Sequence, residues 1–353
     1  MNLNRIAPLD ALRGLAALGV AIYHYDLLAR PGRPPFEAQL GGVYAFGQLA
    51  VPLFYLLSGY IFFAAYAEPL GSGKLDGRAF FWLRVSRLYP LHLLTLLVAA
   101  GLQALAWRAT GGNFVYGHND WPHFLLNLGF VQFGWFDPIM SFNGPSWSLS
   151  IEVALYVAFF AFTRQFGAAA GPRLALGALC LAVSSLRAWL PLSGPLNVFF
   201  AEGLGCFFVG GCLQLTANWP ELRRLALGLG VLTLGLGLIY ATGGRRETMP
   251  VLFAGVALVS LAPGLRRAAD LAPLEWLGEI SYSIYLWHFP TQIALAVVAA
   301  TLIPIDFGSG ATLALYLGLT LALSTLSFRY FETPARTIVR QWAALRRRAA
   351  ATA

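Results

Sequence analysis

Long apolar segments recur along almost the whole chain, separated by short loops in which arginine is the commonest charge. A helix that crosses a bilayer needs about 20 mostly apolar residues. Ten segments meet that need, at about 8–29, 45–67, 79–107, 143–164, 173–190, 197–216, 225–242, 249–265, 274–302 and 310–334. They predict an all-α fold, a polytopic transmembrane helical bundle of about ten spans. Of the 353 residues, 58% are hydrophobic and 11% charged. A soluble domain carries roughly 25% charged residues, so a water-soluble globule is excluded. The apolar run Trp121 to Phe136 is too short to span and reads as a re-entrant or interfacial helix.

Arginine and lysine collect on the cytoplasmic side of membrane proteins. With the N-terminus inside and the spans alternating, inner loops and helix ends hold eighteen of the 24 basic residues and the outer side six. Both termini are therefore expected in the cytoplasm. The transmembrane unit is expected over 1–336, with 337–353 a short basic cytoplasmic tail. The net charge of +8 suits anionic lipid headgroups, and no nucleic-acid partner is expected. Cys180, Cys206 and Cys212 lie in apolar stretches and read as core residues. Close-set glycines such as Gly228, Gly230, Gly235 and Gly237 read as tight helix packing.

An ionisable group at membrane depth is costly and needs a reason. The first span carries Asp10, Arg13 and His24. Eleven residues separate Arg13 from His24, close to three full turns, so the two share a face roughly 16 Å apart along the axis. Asp10 lies one turn from Arg13 and is placed to pair with it. The third span opens with Arg84 and Arg87, three apart and on one face. They serve either as inner-surface anchors or as an anion site. The fourth opens Trp147-Ser148-Leu149-Ser150-Ile151-Glu152, which puts Glu152 about 9–13 Å below the outer boundary. In the ninth, Ser281, Tyr285 and His288 stack at helical spacing, and His288 climbs roughly 20 Å from the inner side. His24, Glu152 and His288 thus fall at one depth on three helices. His92, beside Pro90, reads as a packed residue. Arg329 and Glu332 have the spacing of a structural ion pair. The spacing of His118, Asp120 and His123 fits no standard zinc pattern, and no metal is expected.

Taken together, these residues resemble the acyltransferase-3 family of membrane O-acyltransferases. The resemblance rests on Leu9-Asp10-Ala11-Leu12-Arg13-Gly14 running on to His24, and on Val51-Pro52-Leu53-Phe54 with Ser58-Gly59-Tyr60. It continues through Arg84-x-x-Arg87-Leu88-Tyr89-Pro90, Trp147-Ser148-Leu149-Ser150-Ile151-Glu152 and Ile280-Ser281-Tyr282-Ser283-Ile284-Tyr285-Leu286-Trp287-His288, and closes with Phe331-Glu332-x-Pro334. The motifs stand in the family's order over nearly the whole chain. Some members append an extracytoplasmic esterase-like domain, and two-step handling of the acceptor by such a domain is not expected here.

The resemblance implies transfer of an acyl group, acetyl by default, from cytoplasmic acyl-CoA to a hydroxyl of a carbohydrate or lipid-linked glycan. The setting it implies is the lipid bilayer of a bacterial cytoplasmic membrane. Arg13, Arg84 and Arg87 would hold the donor's phosphates. His24 would act as general base, Glu152 would orient it, and Arg13 would assist. Trp147, Ser148, Tyr285 and His288 would position the acceptor. The rival function for the same buried polar residues is a transporter or flippase of a glycan or acyl-carrying intermediate. Oligomeric state is open.

Overall fold

The computed structural model describes residues 6–29, 32–136, 139–186, 198–217, 231 and 272–352. Among these residues the chain is helical, with no strand. The helices, numbered here in chain order, are α1 (Ala7–His24), α2 (Glu37–Phe46), α3 (Ala50–Gly71), α4 (Gly77–Thr110), α5 (Trp121–Leu128) and α6 (Ser148–Phe166). They continue with α7 (Ala170–Leu186), α8 (Val198–Ala217), α9 (Ala272–Thr301), α10 (Gly310–Ser327) and α11 (Thr333–Thr352). A π-helical turn, Phe328–Glu332, joins α10 to α11.

Six helices among the described residues are long and apolar enough to cross a membrane by length and composition: Glu37–Gly71, Gly77–Thr110, Gly144–Phe166, Phe199–Thr216, Ala272–Thr301 and Gly310–Leu345. The ten spans of the sequence reading are thus matched in part. At 8–29 a helix forms, but Asp10, Arg13 and His24 dilute α1. At 173–190, α7 has 17 residues. The expected spans at 225–242 and 249–265, with Gly228, Gly230, Gly235 and Gly237, lie outside the described residues apart from the single residue 231. The 121–136 segment is a helix only over its first eight residues. The chain then bends through 129–136. The stretch read as a basic tail continues as α11 and lies along α4, where Trp82 and Trp342 meet edge to face at 4.9 Å.

Two close crossings build the bundle. A Cβ on Gly278 of α9 would sit 2.7 Å from the Asp10 carbonyl oxygen of α1. A Cβ on Gly59 of α3 would sit 1.8 Å from the Phe207 carbonyl oxygen of α8. Only glycine lets these backbones approach so nearly. The first crossing lays the polar side of α1 along α9. Around both, an aromatic core forms in which Phe62, Phe63, Phe159 and Phe207 are almost wholly buried. The outward faces carry exposed apolar residues, among them Phe81, Leu97, Val157 and Leu319, as a lipid-facing surface should.

Pro290 interrupts α9. Having no N–H, it leaves the carbonyl four residues back unpaired, a costly state away from water. That carbonyl belongs to Leu286, and it accepts a hydrogen bond from buried Asn143 Nδ2 at 3.0 Å. The pairing ties the segment before α6 to α9 and so fixes how the start of α6 meets the site.

Candidate active site

A cavity of about 210 Å³ opens between α1, α3, α4, α6, α9 and α11. Its lining includes Arg13, Arg84, Arg87, Arg340, Glu152, Ser148, Ser281 and Tyr285. Four guanidinium groups and one carboxylate therefore share a small chamber whose remaining wall is largely aromatic and aliphatic. α4 brings Arg84 and Arg87 together through their three-residue spacing, as expected from sequence.

Arg84 sits in an aromatic cage. Its guanidinium carbon lies 4.6 Å from the Tyr66 ring centroid, 4.8 Å from Phe62 and 5.7 Å from Phe80. Nη2 donates to the Tyr66 hydroxyl at 2.5 Å, while Nε has no partner. Among the described residues no carboxylate pairs with it. Cation–π contact favours such a cation without neutralising its charge, so the chamber keeps a net attraction for anions.

Arg87 is held differently. It donates to Glu332 and lies over the Tyr282 ring at 5.1 Å. Glu332, almost completely buried, also accepts from Arg336 Nη2 at 2.5 Å and from Ser283 Oγ at 2.8 Å. The expected Arg329–Glu332 pair is therefore corrected. The π-helical turn adds a residue to the helical repeat there, Glu332 turns into the bundle, and Arg329 lies over the Tyr330 ring instead. Arg13 pairs with Asp10 at 3.6 Å, as its spacing suggested. Arg340, whose Nε donates to Ser86 Oγ at 3.3 Å, is a chamber residue that the sequence reading had assigned to the tail.

Glu152 accepts a hydrogen bond from Tyr156 one turn on. The expected pairing of Glu152 with His24 is not formed. Equal depth fixes height but not direction around the bundle, and Glu152 faces the arginines. His24 instead stacks on His288, with ring centroids 5.0 Å apart and planes at 30°. His24 Nδ1 lies 3.0 Å from the Val20 carbonyl oxygen. A carbonyl only accepts, so Nδ1 donates, and the neutral ring carries its basic lone pair on Nε2. His288 is fully buried, and neither of its ring nitrogens makes a hydrogen bond of good geometry.

Neither imidazole lines the chamber. Tyr285 stands between: it lines the chamber, and its ring centroid is 5.9 Å from that of His288. Its hydroxyl meets Ser148 Oγ at 2.7 Å and donates to the Pro145 carbonyl. Phe54 packs edge-on against the Tyr285 ring at 6.0 Å. The partition between the basic chamber and the imidazole pair is thus about one aromatic layer thick. Trp147 lies outside the chamber, packed against Phe133 and Phe199 at 4.9 and 5.2 Å. His92 is a packed residue, its Nε2 donating to the Asn127 carbonyl at 2.9 Å.

Residues 6–329 match the family profile described as an acyltransferase domain, acyltransferase family 3. The chain is 24% identical to a peptidoglycan O-acetyltransferase, OatA, of Listeria monocytogenes, over 94% of this chain and 56% of that protein. It is 29% identical to the acyltransferase MdmB of Streptomyces mycarofaciens, over 81% of this chain and 78% of that protein. It is 27% identical to a putative peptidoglycan O-acetyltransferase, YrhL, of Bacillus subtilis, over 94% of this chain and 55% of that protein. The chain thus spans little more than half the length of the two peptidoglycan relatives. No solved structure matches it.

Proposed function

This chain belongs to the acyltransferase-3 family, and on that premise we propose that it moves an acyl group, acetyl by default, from acyl-CoA to a hydroxyl of a carbohydrate or glycoconjugate. The observation that carries this reading is the pairing of an arginine-lined chamber with two stacked imidazoles one side chain away. Arg84, a caged cation with no carboxylate partner among the described residues, supports an anionic donor. Arg13, Arg87 and Arg340 border the same space and suit the phosphates of CoA. The excess of basic residues on one side of the predicted topology argues that the chamber faces the cytoplasm.

In this proposal the pantetheine arm runs from the chamber toward the imidazole pair. The roughly 16 Å along α1 between Arg13 and His24 is of the order such an arm spans. Tyr285 has to turn aside for the thioester to reach His24, because its ring closes the way. Nε2 of His24 takes the proton of the acceptor hydroxyl as its oxygen attacks the thioester carbonyl carbon. The tetrahedral adduct collapses, the carbon–sulfur bond breaks, and the imidazolium returns its proton to the departing thiolate. General-base help of this kind contributes about 10²–10⁴ in rate. His288 bears on His24 through the stack. Glu152 balances part of the positive charge of the chamber rather than orienting His24. Ser148 holds the Tyr285 hydroxyl. Trp147 contributes by packing the turn before α6.

The names of two relatives make peptidoglycan the first acceptor to try, and that of the third leaves small glycosides and other hydroxyl compounds open. Membranes containing the protein, given radiolabelled acetyl-CoA and a hydroxylated glycan, should yield labelled ester that mild base releases. Movement of an unmodified glycan across the membrane, with no donor consumed, would instead establish the transporter reading.

A further inference from the structure

Away from the chamber, His118 in the loop after α4, Asp120 at the N-cap of α5 and His123 in the first turn of α5 converge. One ligand atom from each lies within 4.8 Å of the others. The two imidazole centroids are 5.3 Å apart. Asp120 Oδ1 accepts from the His123 backbone N–H at 3.0 Å and from His123 Nδ1 at 2.5 Å. The loop that carries His118 is itself braced. Asn113 Nδ2 donates to the Gly117 carbonyl at 2.9 Å, and Asn119 Nδ2 to that of Tyr116 at 2.8 Å.

We propose that His118, Asp120 and His123 form a binding site for a divalent metal of the zinc class, separate from the acyl-transfer centre. Two imidazoles and a carboxylate are the donor set that suits zinc, whereas calcium and magnesium take oxygen ligands almost alone. In a tetrahedral shell with bonds of about 2.0–2.2 Å, ligand atoms sit roughly 3.3 Å apart. The cluster reaches that with side-chain adjustments of about an ångström, and the fourth position is left to water or a ligand. Sequence spacing argued against this site because the usual patterns place both imidazoles on one helix or hairpin. Here one comes from a loop and the other from a helix, with the N-cap carboxylate between them. Arg108 lines a recess together with His118 and Asp120 and opposes binding, so affinity depends on all three ligands. A bound ion would fasten the loop over 111–120 to the start of α5.

The test uses the full chain, purified in detergent with any affinity tag removed, titrated with zinc chloride and followed by calorimetry and zinc-edge X-ray absorption. The variants are His118→Ala, His123→Ala and Asp120→Asn. Asparagine caps a helix about as well as aspartate, so the last removes the charge and keeps the start of α5. His24→Ala serves as a control, since His24 and His288 form the other imidazole pair. One zinc per chain, with nitrogen and oxygen ligands at about 2.0–2.1 Å, is expected. Affinity should fall at least about tenfold in each loop variant and hold in His24→Ala. Zinc should also raise the melting temperature of the unmodified chain and not that of the loop variants. The inference is overturned if the unmodified chain binds no zinc, if the loop variants bind as it does, or if binding is lost in His24→Ala instead.

Discussion

His24 of α1 and His288 of α9 lie ring on ring, with centroids 5.0 Å apart, because a glycine crossing brings the two helices into backbone contact at Gly278. The Val20 carbonyl fixes the His24 tautomer. If Nε2 is the base that activates the acceptor, His24→Ala should insert and fold normally while transfer falls by about 10²–10⁴-fold. His288→Ala should also lower transfer, through loss of the stack. Both are read as kcat with saturating donor. A His24→Ala variant that keeps full turnover would remove the imidazole from the chemistry.

Arg84 offers a sharper separation of binding from chemistry. Arg84→Lys keeps the positive charge but not the planar group that fits the aromatic cage. The donor KM should rise by about tenfold or more, with kcat changed far less, as for an interaction made equally in ground and transition states. An unchanged KM would dissociate the caged cation from the donor.

Much of this arrangement was legible in the sequence, and the reasons for the rest are specific. Buried charges stand out against an apolar background, so Arg13, Arg84, Arg87, Glu152, His24 and His288 were all visible. Helical periodicity gave the Asp10–Arg13 pair and the shared face of Arg84 and Arg87. It places Tyr156 one turn from Glu152, but it could not give which groups of other helices Glu152 faces, because position along a helix says nothing of direction around the bundle. Nor could it give the Arg87–Glu332 pair, which joins residues far apart in sequence and depends on a π-helical turn. Arg340 looked like one more cytoplasmic charge, and only the packing of α11 on α4 brings it to the chamber. The His118–Asp120–His123 cluster hid for a related reason, since an irregular loop sets its spacing.

Glu332 joins α4, α9 and α11 by accepting from Arg87, Ser283 and Arg336. Glu332→Gln keeps the shape and removes the charge, leaving two arginines to repel each other in a buried place. Breaking such a pair costs about 3–5 kcal/mol. A clear fall in melting temperature in detergent is expected, together with a higher donor KM as Arg87 loses its anchor. An unaltered melting curve would mean that the network contributes little to stability.

The Tyr285 hydroxyl and Ser148 Oγ, 2.7 Å apart in a buried site, should behave as one unit. Tyr285→Phe and Ser148→Ala are each expected to cost about 0.5–1.5 kcal/mol of stability. The double variant should cost less than the two added together, with a coupling of at least about 0.5 kcal/mol. Strict additivity in denaturant titrations would show that the contact does not hold the wall of the chamber.

The position of bound donor decides most. A cryo-electron microscopy map of the protein with CoA is expected to show the phosphates against Arg84 and its neighbouring arginines. The pantetheine arm should point past a displaced Tyr285 ring toward His24. CoA density remote from that chamber, or an arm directed away from the stacked imidazoles, would contradict the account.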